Sequence, residues 1–259
     1  MKKTADPITV EDIKKNFIKD FQALCKTRSA WQVWSDFITM TACAIANNLS
    51  SGEPEIRKAR EDEYIKCAKR FDKTEINLLP RLFTHTIQAL ELNPEQDFLG
   101  NIFTHLNLNS HWHGQFFTPI HIGKFMSRIT LSAIEIENAI EKQGYISIND
   151  CACGAGSLLI AAANRLREDG INYQQKALFV AQDIDRIAGL MCYIQLSLLG
   201  CAGYIVIADT ISNPVVYADD SSLFPLLKEE QEIWFTPMFF SDEWVKRHKT
   251  HFVKLADKH

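Results

Sequence analysis

The stretch Asp150-Cys-Ala-Cys-Gly-Ala-Gly-Ser157 decides the fold of this chain. The apolar run Tyr145-Ile-Ser-Ile148 before it favours a β-strand, and Leu158-Leu-Ile-Ala-Ala-Ala-Asn-Arg-Leu166 after it favours a helix. An acidic residue and two glycines therefore lie at a strand-to-helix turn. Glycine lets the backbone approach a ligand closely, and the start of a helix offers free N–H groups. The pattern is typical of a nucleotide-like cofactor site, although Gly-x-Gly also occurs in ordinary turns.

Two further apolar runs predict strands that alternate with helices. They cover residues 177–185 and 203–209, and a helix is predicted between them from Arg186 to Leu199. This alternation is typical of an α/β fold with a parallel sheet. All three strands end in acids, and these are Asp150, Asp183 and Asp209. Ligands bind at the carboxyl ends of such strands. We therefore favour the interpretation that the three acids bind different parts of one elongated ligand over the alternative that each acid caps a loop or a helix.

The N-terminal residues 1–96 predict an all-helical region, which precedes an α/β domain at residues 97–259. Thr9 and Asp12 form a helix start signal. Apolar residues recur at helical spacing, and they include Phe17, Phe21, Leu24, Trp31, Trp34, Phe37, Ile38, Thr41 and Ile45. We interpret these aromatic residues as core rather than as a platform for stacking bases. The alternating charges of residues 55–72 predict a solvated helix face, and a further helix is predicted from Leu78 to Leu92.

The composition is that of a globular protein with one large or two small domains. The 259 residues are 46% hydrophobic and 23% charged, and the formal charge of −4 does not indicate a strongly basic nucleic-acid binder. No apolar run of about 18 residues predicts a membrane span, and the N-terminus lacks the apolar segment of a signal peptide. Seven cysteines without a C-x-x-C pair disfavour disulfides and structural zinc. We therefore expect a cytoplasmic protein.

A second informative stretch is Gln115-Phe-Phe-Thr-Pro119, before a helix predicted from Ile120 to Lys142. Thr118 is the expected N-cap, and proline suits the first helical turn. Such a helix start can hold a carboxylate. His111 and His113 precede this stretch, but no nearby Cys, Asp or Glu completes a ligand set, so no metal site is expected.

These segments together resemble the N6-adenine DNA methyltransferases. The matching stretches, in chain order, are Gln115-Phe-Phe-Thr-Pro119, Asp150-Cys-Ala-Cys-Gly-Ala-Gly156, Gln182-Asp-Ile-Asp185 and Ala208-Asp209. The most similar group is the modification subunits of type I restriction systems and their orphan or phage relatives, which Asp97-Phe-Leu-Gly100 also resembles. The similarity covers roughly residues 97–210. Cys151 stands where the family usually has proline, which should change the stiffness of the loop more than its ligand chemistry.

The resemblance implies S-adenosylmethionine (SAM) as cofactor and a Rossmann-like methyltransferase sheet. Phe116, Phe117 and Thr118 would line the methionine end, and Asp150 would face the methionine amine. The backbone from Ala152 through Gly154 to Gly156 would pass close to the cofactor. Asp183 would accept hydrogen bonds from the ribose hydroxyls and Asp209 from the adenine amine, with Ile184 and Ile211 beside the ring. Carboxylates suit these donors.

The base-handling half of the family's site is not matched. The family carries Asp/Asn/Ser-Pro-Pro-Tyr/Phe/Trp after its fourth strand, whose acceptors polarise the adenine amine and whose aromatic ring stacks on the flipped base. Here Asn213-Pro214 follows the third strand too closely to serve. The nearest positional match is Thr236-Pro-Met-Phe239, after a fourth strand predicted at Gln231–Phe235. Thr236 and Phe239 are therefore the candidate catalytic residues, with a core or partner-facing role as the alternative.

The chain has 50 residues after Asp209, too few for the remaining strands of a seven-stranded sheet and a target-recognition region. We therefore expect an abbreviated sheet whose open edge a homodimer or a partner subunit covers. The predicted function is SAM-dependent methyl transfer to the N6 amine of adenine in DNA, within a restriction-modification context. The first alternative is a non-catalytic SAM-binding subunit that depends on a partner. The second is a methyltransferase for RNA, protein or a small molecule.

Overall fold

The computed structural model describes residues 7–49, 54–108, 117–218 and 222–247. The N-terminal part is helical, as predicted. Its helices are α1 (Val10–Leu24), α2 (Ala30–Asn47), α3 (Pro54–Ala68), α4 (Leu78–Leu92) and α5 (Phe98–His105). The start signal of α1 is confirmed, because the Thr9 side chain accepts from the Asp12 N–H and the Asp12 side chain accepts from the Thr9 N–H.

The aromatic residues of the N-terminal helices form a core, as the sequence predicts. Phe17 is fully buried, and its ring centroid lies 5.7 Å from those of both Phe37 and Phe98. The rings of Phe21 and Trp34 complete the cluster at 6.4 and 6.2 Å. This packing joins α1, α2 and α5.

Helix α3 has the solvated face that its charges predict, since Glu55, Arg57, Lys58, Glu61 and Asp62 are exposed, but another part of it contacts the sheet. The Arg60 guanidinium lies 4.1 Å from the centroid of the Trp234 ring and donates to the Ile233 carbonyl at 2.9 Å. Glu63 pairs with Arg186 at 2.8 Å. One face of this charged helix therefore contacts the sheet, which a local charge pattern does not reveal.

The single helix predicted from Ile120 to Lys142 is two helices, α6 (Ile120–Thr130) and α7 (Ala133–Gln143). Ser132 interrupts it, since its side chain accepts from the Glu135 N–H as the N-cap of α7. The predicted cap at Thr118 is also wrong. The N-cap of α6 is Pro119, and no side chain makes a capping hydrogen bond there.

The α/β part contains the predicted strands and helices in the predicted order, together with a short helix at Tyr173–Lys176 that was not predicted. They are β1 (Ile146–Asp150), α8 (Ser157–Glu168), α9 (Tyr173–Lys176), β2 (Ala177–Asp183), α10 (Arg186–Leu198), β3 (Ala202–Ile207) and β4 (Glu232–Phe235). β1, β2 and β3 are parallel, in the order β1-β2-β3-β4. The parallel α/β architecture is confirmed, and the carboxyl ends of three strands lie at one edge.

Strand β4 is antiparallel to β3, with Trp234 opposite Ile205. It extends the sheet beyond β3, on the side away from β1. Among the described residues β1 pairs with β2 alone, and its Ser147 and Asn149 are exposed. Within the described ranges the sheet has four strands, and β1 and β4 are its two edges.

The helical region and the sheet share packing. One hydrophobic cluster extends from Ile13 in α1 to Trp234 in β4, and α2 packs against α10. A second cluster on the other face of the sheet contains Tyr204, Phe239 and Trp244. The domain boundary between residues 96 and 97 stays a prediction.

The sequence predicts neither a membrane span nor a metal site. No helix in the described ranges is long and apolar enough to cross a membrane. Within the same ranges no cluster of three or more His, Cys, Asp or Glu residues could hold a metal ion. His111 and His113 lie outside the described residues.

Replacing Phe17 by alanine tests the aromatic core. We expect the free energy of unfolding to fall by about 3–5 kcal/mol, because a fully buried ring leaves a cavity between three helices. Ile8→Ala is the control, since Ile8 is 55% exposed and should change stability by less than about 0.5 kcal/mol. Urea denaturation measures both. Equal, small effects would contradict the packing of α1, α2 and α5.

Candidate cofactor site

The loop between β1 and α8 has the backbone that its glycines predict. Gly154 and Gly156 have φ values of +52° and +94°, in the left-handed region that disfavours residues with a Cβ. A Cβ at Gly156 would also lie 2.9 Å from the Cys192 sulfur. Helix α8 begins directly afterwards at Ser157, so its free N–H groups point towards the loop.

Strand β2 holds this loop through two hydrogen bonds. The Cys153 N–H donates to the Gln182 carbonyl at 3.0 Å, and the Gly154 N–H donates to Asp183 Oδ2 at 2.7 Å. The other oxygen of Asp183 accepts from the Asp185 N–H at 2.9 Å. A carboxylate has about four lone-pair positions, so Asp183 keeps acceptor capacity for ribose hydroxyls.

A small cavity of about 50 Å³ lies against the loop. It is lined by Phe117, Thr118, Asp150, Ala152, Cys153, Gly154, Ala155, Ser157 and Leu158. The structure thus brings together residues from both the Phe-Phe-Thr-Pro and the glycine-loop segments, as the sequence predicts. The cavity has room for a small polar group rather than for a whole cofactor.

Two buried side-chain atoms at this cavity accept or donate no hydrogen bond among the described residues. They are Asp150 Oδ2 and Ser157 Oγ. Asp150 Oδ1 accepts from the Ala152 N–H at 3.2 Å. Burial first, and then the neighbouring charge of Asp183, raise the pKa of Asp150. An unpaired buried acceptor and an unpaired hydroxyl in the lining of one cavity fit a ligand that carries an ammonium and a carboxylate.

Ser157 is a site residue that sequence reasoning missed. It is 3% exposed and is the first residue of α8. Its position directly after Gly-x-Gly, at the positive end of a helix, is the signal that could have identified it.

Phe117 and Thr118 reach the cavity from the segment before α6. The Phe117 ring packs on Phe103 at 5.1 Å, and a Cβ at Gly154 would lie 3.0 Å from Phe117 Cδ1. Phe117 therefore covers the glycine loop on one side. Phe116 lies outside the described residues.

The third strand ends at Ile207 and not at Asp209 as predicted, so Asp209 lies in the following loop, which approaches the glycine loop. The Thr210 hydroxyl donates to the Cys151 carbonyl at 2.5 Å. Asp209 Oδ1 accepts from the Ile211 N–H at 2.9 Å, and this backbone bond is the main cause that lowers the pKa of Asp209. Ile184 and Ile211 are 67% and 93% exposed, so both apolar side chains are accessible at this edge of the sheet.

Thr236 and Phe239 do not join this site, which corrects the prediction of catalytic roles. The Thr236 hydroxyl donates to the Cys201 carbonyl at 2.7 Å and accepts from the Gly203 N–H at 3.0 Å. Both contacts lie at the amino end of β3, opposite the cofactor edge, because β4 runs antiparallel. Both Thr236 and Phe239 are fully buried. Both side chains therefore lie in the interior, away from the cofactor edge.

The family is decided by a match along the chain. A family model described as N-6 DNA Methylase matches residues 95–256, which is more than half of the sequence. The chain belongs to the N-6 DNA methylase family. Membership implies SAM as the cofactor, which agrees with the donors and acceptors at the strand ends.

Two solved structures are similar to this N-6 DNA methylase family member. One is the type I restriction-modification system methyltransferase subunit from Streptococcus thermophilus, with 14% identity and a TM-score of 0.41; the match covers 83% of this chain and 62% of that one. The other is a putative class I S-adenosylmethionine-dependent methyltransferase from Listeria monocytogenes, with 17% identity, a TM-score of 0.41 and coverages of 95% and 79%. The chain thus spans 62% of the first structure's length. The comparison with curated proteins gives no match.

The pH dependence of stability tests the buried cap of α10. Asp185 accepts from the Ala188 N–H at 2.6 Å, and burial raises its pKa to about 6. Between about pH 4 and pH 6 the folded protein therefore binds more protons than the unfolded chain, and stability falls as pH rises. We expect the stability of Asp185→Asn relative to wild type to increase by about 2–3 kcal/mol from pH 4 to pH 7.

Urea denaturation at several pH values measures this change. Asparagine caps helices as well as aspartate, so the helix start is retained. Asp62→Asn, at an exposed carboxylate of α3, is the control and should give a flat difference. A flat difference for Asp185→Asn as well would contradict its buried, ionisable position.

The structural role of Thr236 gives a separate prediction. Thr236→Val keeps the shape but leaves the buried Gly203 N–H without its hydroxyl acceptor. We expect a loss of about 1–3 kcal/mol in the free energy of unfolding and no change in SAM affinity. Thr130→Val, at an exposed position of α6, serves as the matched control. Weaker SAM binding by Thr236→Val at unchanged stability would restore Thr236 to the site.

Proposed function

We propose that this chain binds SAM at the carboxyl ends of β1, β2 and β3 and takes part in methyl transfer to the N6 amine of adenine in DNA. The observation that carries this proposal is the pair of unpartnered buried atoms, Asp150 Oδ2 and Ser157 Oγ, at the cavity beside the glycine loop. They complement the ammonium and the carboxylate of a methionine group. Membership in the N-6 DNA methylase family supports the same conclusion.

Each residue at this edge of the sheet would bind a different part of SAM. Asp150 Oδ2 accepts from the ammonium, and Ser157 Oγ with the free N–H groups of α8 donates to the carboxylate. Asp183 accepts from the ribose hydroxyls. Asp209 accepts from the adenine amine, and the exposed Ile184 and Ile211 cover the two faces of the ring. Phe116, Phe117 and Thr118 close the methionine end. When bound, SAM supplies an electrophilic methyl group on a sulfonium.

Fewer observations support the part of the proposal that concerns the methyl acceptor, adenine. Adenine N6 is a poor nucleophile, because its lone pair is delocalised, and an acceptor must polarise its N–H bonds. The described residues at the cofactor edge contain no Pro-Pro segment, and Thr236 lies at the opposite end of β3. We therefore propose as second candidate a SAM-binding subunit whose partner supplies base recognition.

The open edge of β1 favours this second candidate. Its neighbouring residues Ser147 and Asn149 are exposed, and β1 ends at Asp150 in the cofactor site. A strand added there by a partner subunit, or by a second copy of this chain, would lie beside the SAM methyl end. We also propose that DNA is the acceptor and that the protein is cytoplasmic. The domain boundary between residues 96 and 97 is part of the same proposal.

Isothermal titration calorimetry tests the cofactor half. We expect wild type to bind SAM, and Asp150→Asn and Ser157→Ala each to weaken binding by about tenfold or more, because each removes a buried partner of a charged group. Cys151→Ala is the control, since its exposed side chain lines no part of the cavity. No SAM binding by the folded wild-type protein would refute the proposal.

Methyl transfer from radiolabelled SAM to duplex and single-stranded DNA separates the two candidates. Label in N6-methyladenine with the chain alone supports the catalytic candidate. Intact SAM binding without transfer contradicts it and favours the partner-dependent subunit.

A further inference from the structure

A buried glutamine lies between the loops that form the cofactor site. Gln182 is the penultimate residue of β2 and is 2% exposed. The apolar residues around it in this strand pack in the two cores, whereas its amide needs hydrogen-bond partners.

The Gln182 side chain holds both ends of the loop at residues 208–215. Its Nε2 donates to the Ala208 carbonyl at 3.2 Å and to the Asn213 carbonyl at 2.9 Å. Its Oε1 accepts from the Val215 N–H at 3.2 Å. Ala208 directly precedes Asp209, and the Asn213 N–H donates back to the Asp209 carbonyl at 2.7 Å. One side-chain amide therefore binds the backbone both before and after Asp209.

The same residue also contacts the glycine loop through its backbone. Its carbonyl accepts from the Cys153 N–H at 3.0 Å, and the next residue, Asp183, binds the Gly154 N–H. Gln182 thus joins the parts of the site that would hold the methionine, ribose and adenine groups. A glutamine at this position of a strand does not have to bind a distant loop. Here its side chain makes two donor contacts and one acceptor contact to that loop.

We infer that Gln182 is a positioning residue that orients Asp209 towards the adenine amine and so sets the preference for adenine over a 6-oxopurine. The inference rests on the proposed function. A 6-oxopurine presents a carbonyl oxygen where adenine presents its amine, and an oriented carboxylate repels that oxygen. Without the Gln182 amide, the backbone that carries Asp209 loses two of its anchors while the Ile211 N–H still binds Asp209 Oδ1, so the direction of the carboxylate is less fixed and the preference decreases.

Loop 208–215 has a second anchor, which makes the test feasible. Gln231 Nε2 donates to the Asn213 and Pro214 carbonyls at 3.1 and 3.3 Å. The far end of the loop is therefore still held when the Gln182 amide is removed. The near end keeps the backbone bond from the Ala208 N–H to the Asp183 carbonyl at 3.0 Å, and among the described side chains Gln182 alone binds the Ala208 carbonyl.

Calorimetry with two ligands tests the inference on the full chain. The ligands are S-adenosylhomocysteine and S-inosylhomocysteine, which differ at position 6 of the purine. We expect wild type to prefer the adenosyl compound, and Gln182→Met to reduce the ratio of the two affinities by about tenfold. Gln174→Met is the matched control, because Gln174 donates to the Leu199 carbonyl at the opposite end of the sheet. It should leave the ratio unchanged.

The outcomes separate positioning from general stability. An equal loss of affinity for both ligands, with the ratio unchanged, would show a merely structural glutamine and overturn the inference. No loss at all would also overturn it. If Gln182→Met does not fold, Gln182→Asn keeps a buried amide that is too short for these contacts, and the same reduced ratio is expected. Failure of wild type to bind either ligand refutes the proposed function itself.

Discussion

The hydrogen bonds that join the glycine loop to β2 are the constraint on which the site depends. The Cys153 and Gly154 N–H groups donate to the Gln182 carbonyl and to the Asp183 carboxylate. Because the loop follows β1 and leads into α8, these two bonds fix the carboxyl end of one strand, the carboxylate of the next and the start of a helix against one another. The left-handed glycines make this path available to the backbone.

In the proposed function, cofactor binding and base handling lie in different parts of the molecule. The side chains that we propose for the ammonium, carboxylate, ribose hydroxyls and adenine amine of SAM lie along the carboxyl ends of β1, β2 and β3. The fourth strand adds to β3 in the antiparallel direction and carries Thr236 away from this edge. Of the two edges that the sheet has in the described part of the chain, the edge of β1 is the one next to Asp150. A strand added at β1, and not β4, is therefore our proposed place for base recognition.

Local patterns in the sequence predicted the elements well and their long-range relations less well. Strand ends at Asp150 and Asp183, and the helix beginning at Arg186, follow from apolar runs and turn signals that neighbouring residues determine. The direction of β4 depends on pairing with a strand about 30 residues earlier, so the role of Thr236 could not be read locally. Helix α3 is likewise charged, yet it contacts Trp234. Predictions for Phe116 fall outside the described residues.

A crystal structure of the chain with S-adenosylhomocysteine tests the central claim most directly. The account predicts the ligand along the carboxyl ends of β1, β2 and β3, with its ammonium on Asp150 Oδ2, its carboxylate at Ser157 and its adenine amine on Asp209. A ligand bound elsewhere, or one with its adenine ring at Asp150 and its amino acid at Asp209, would contradict the account.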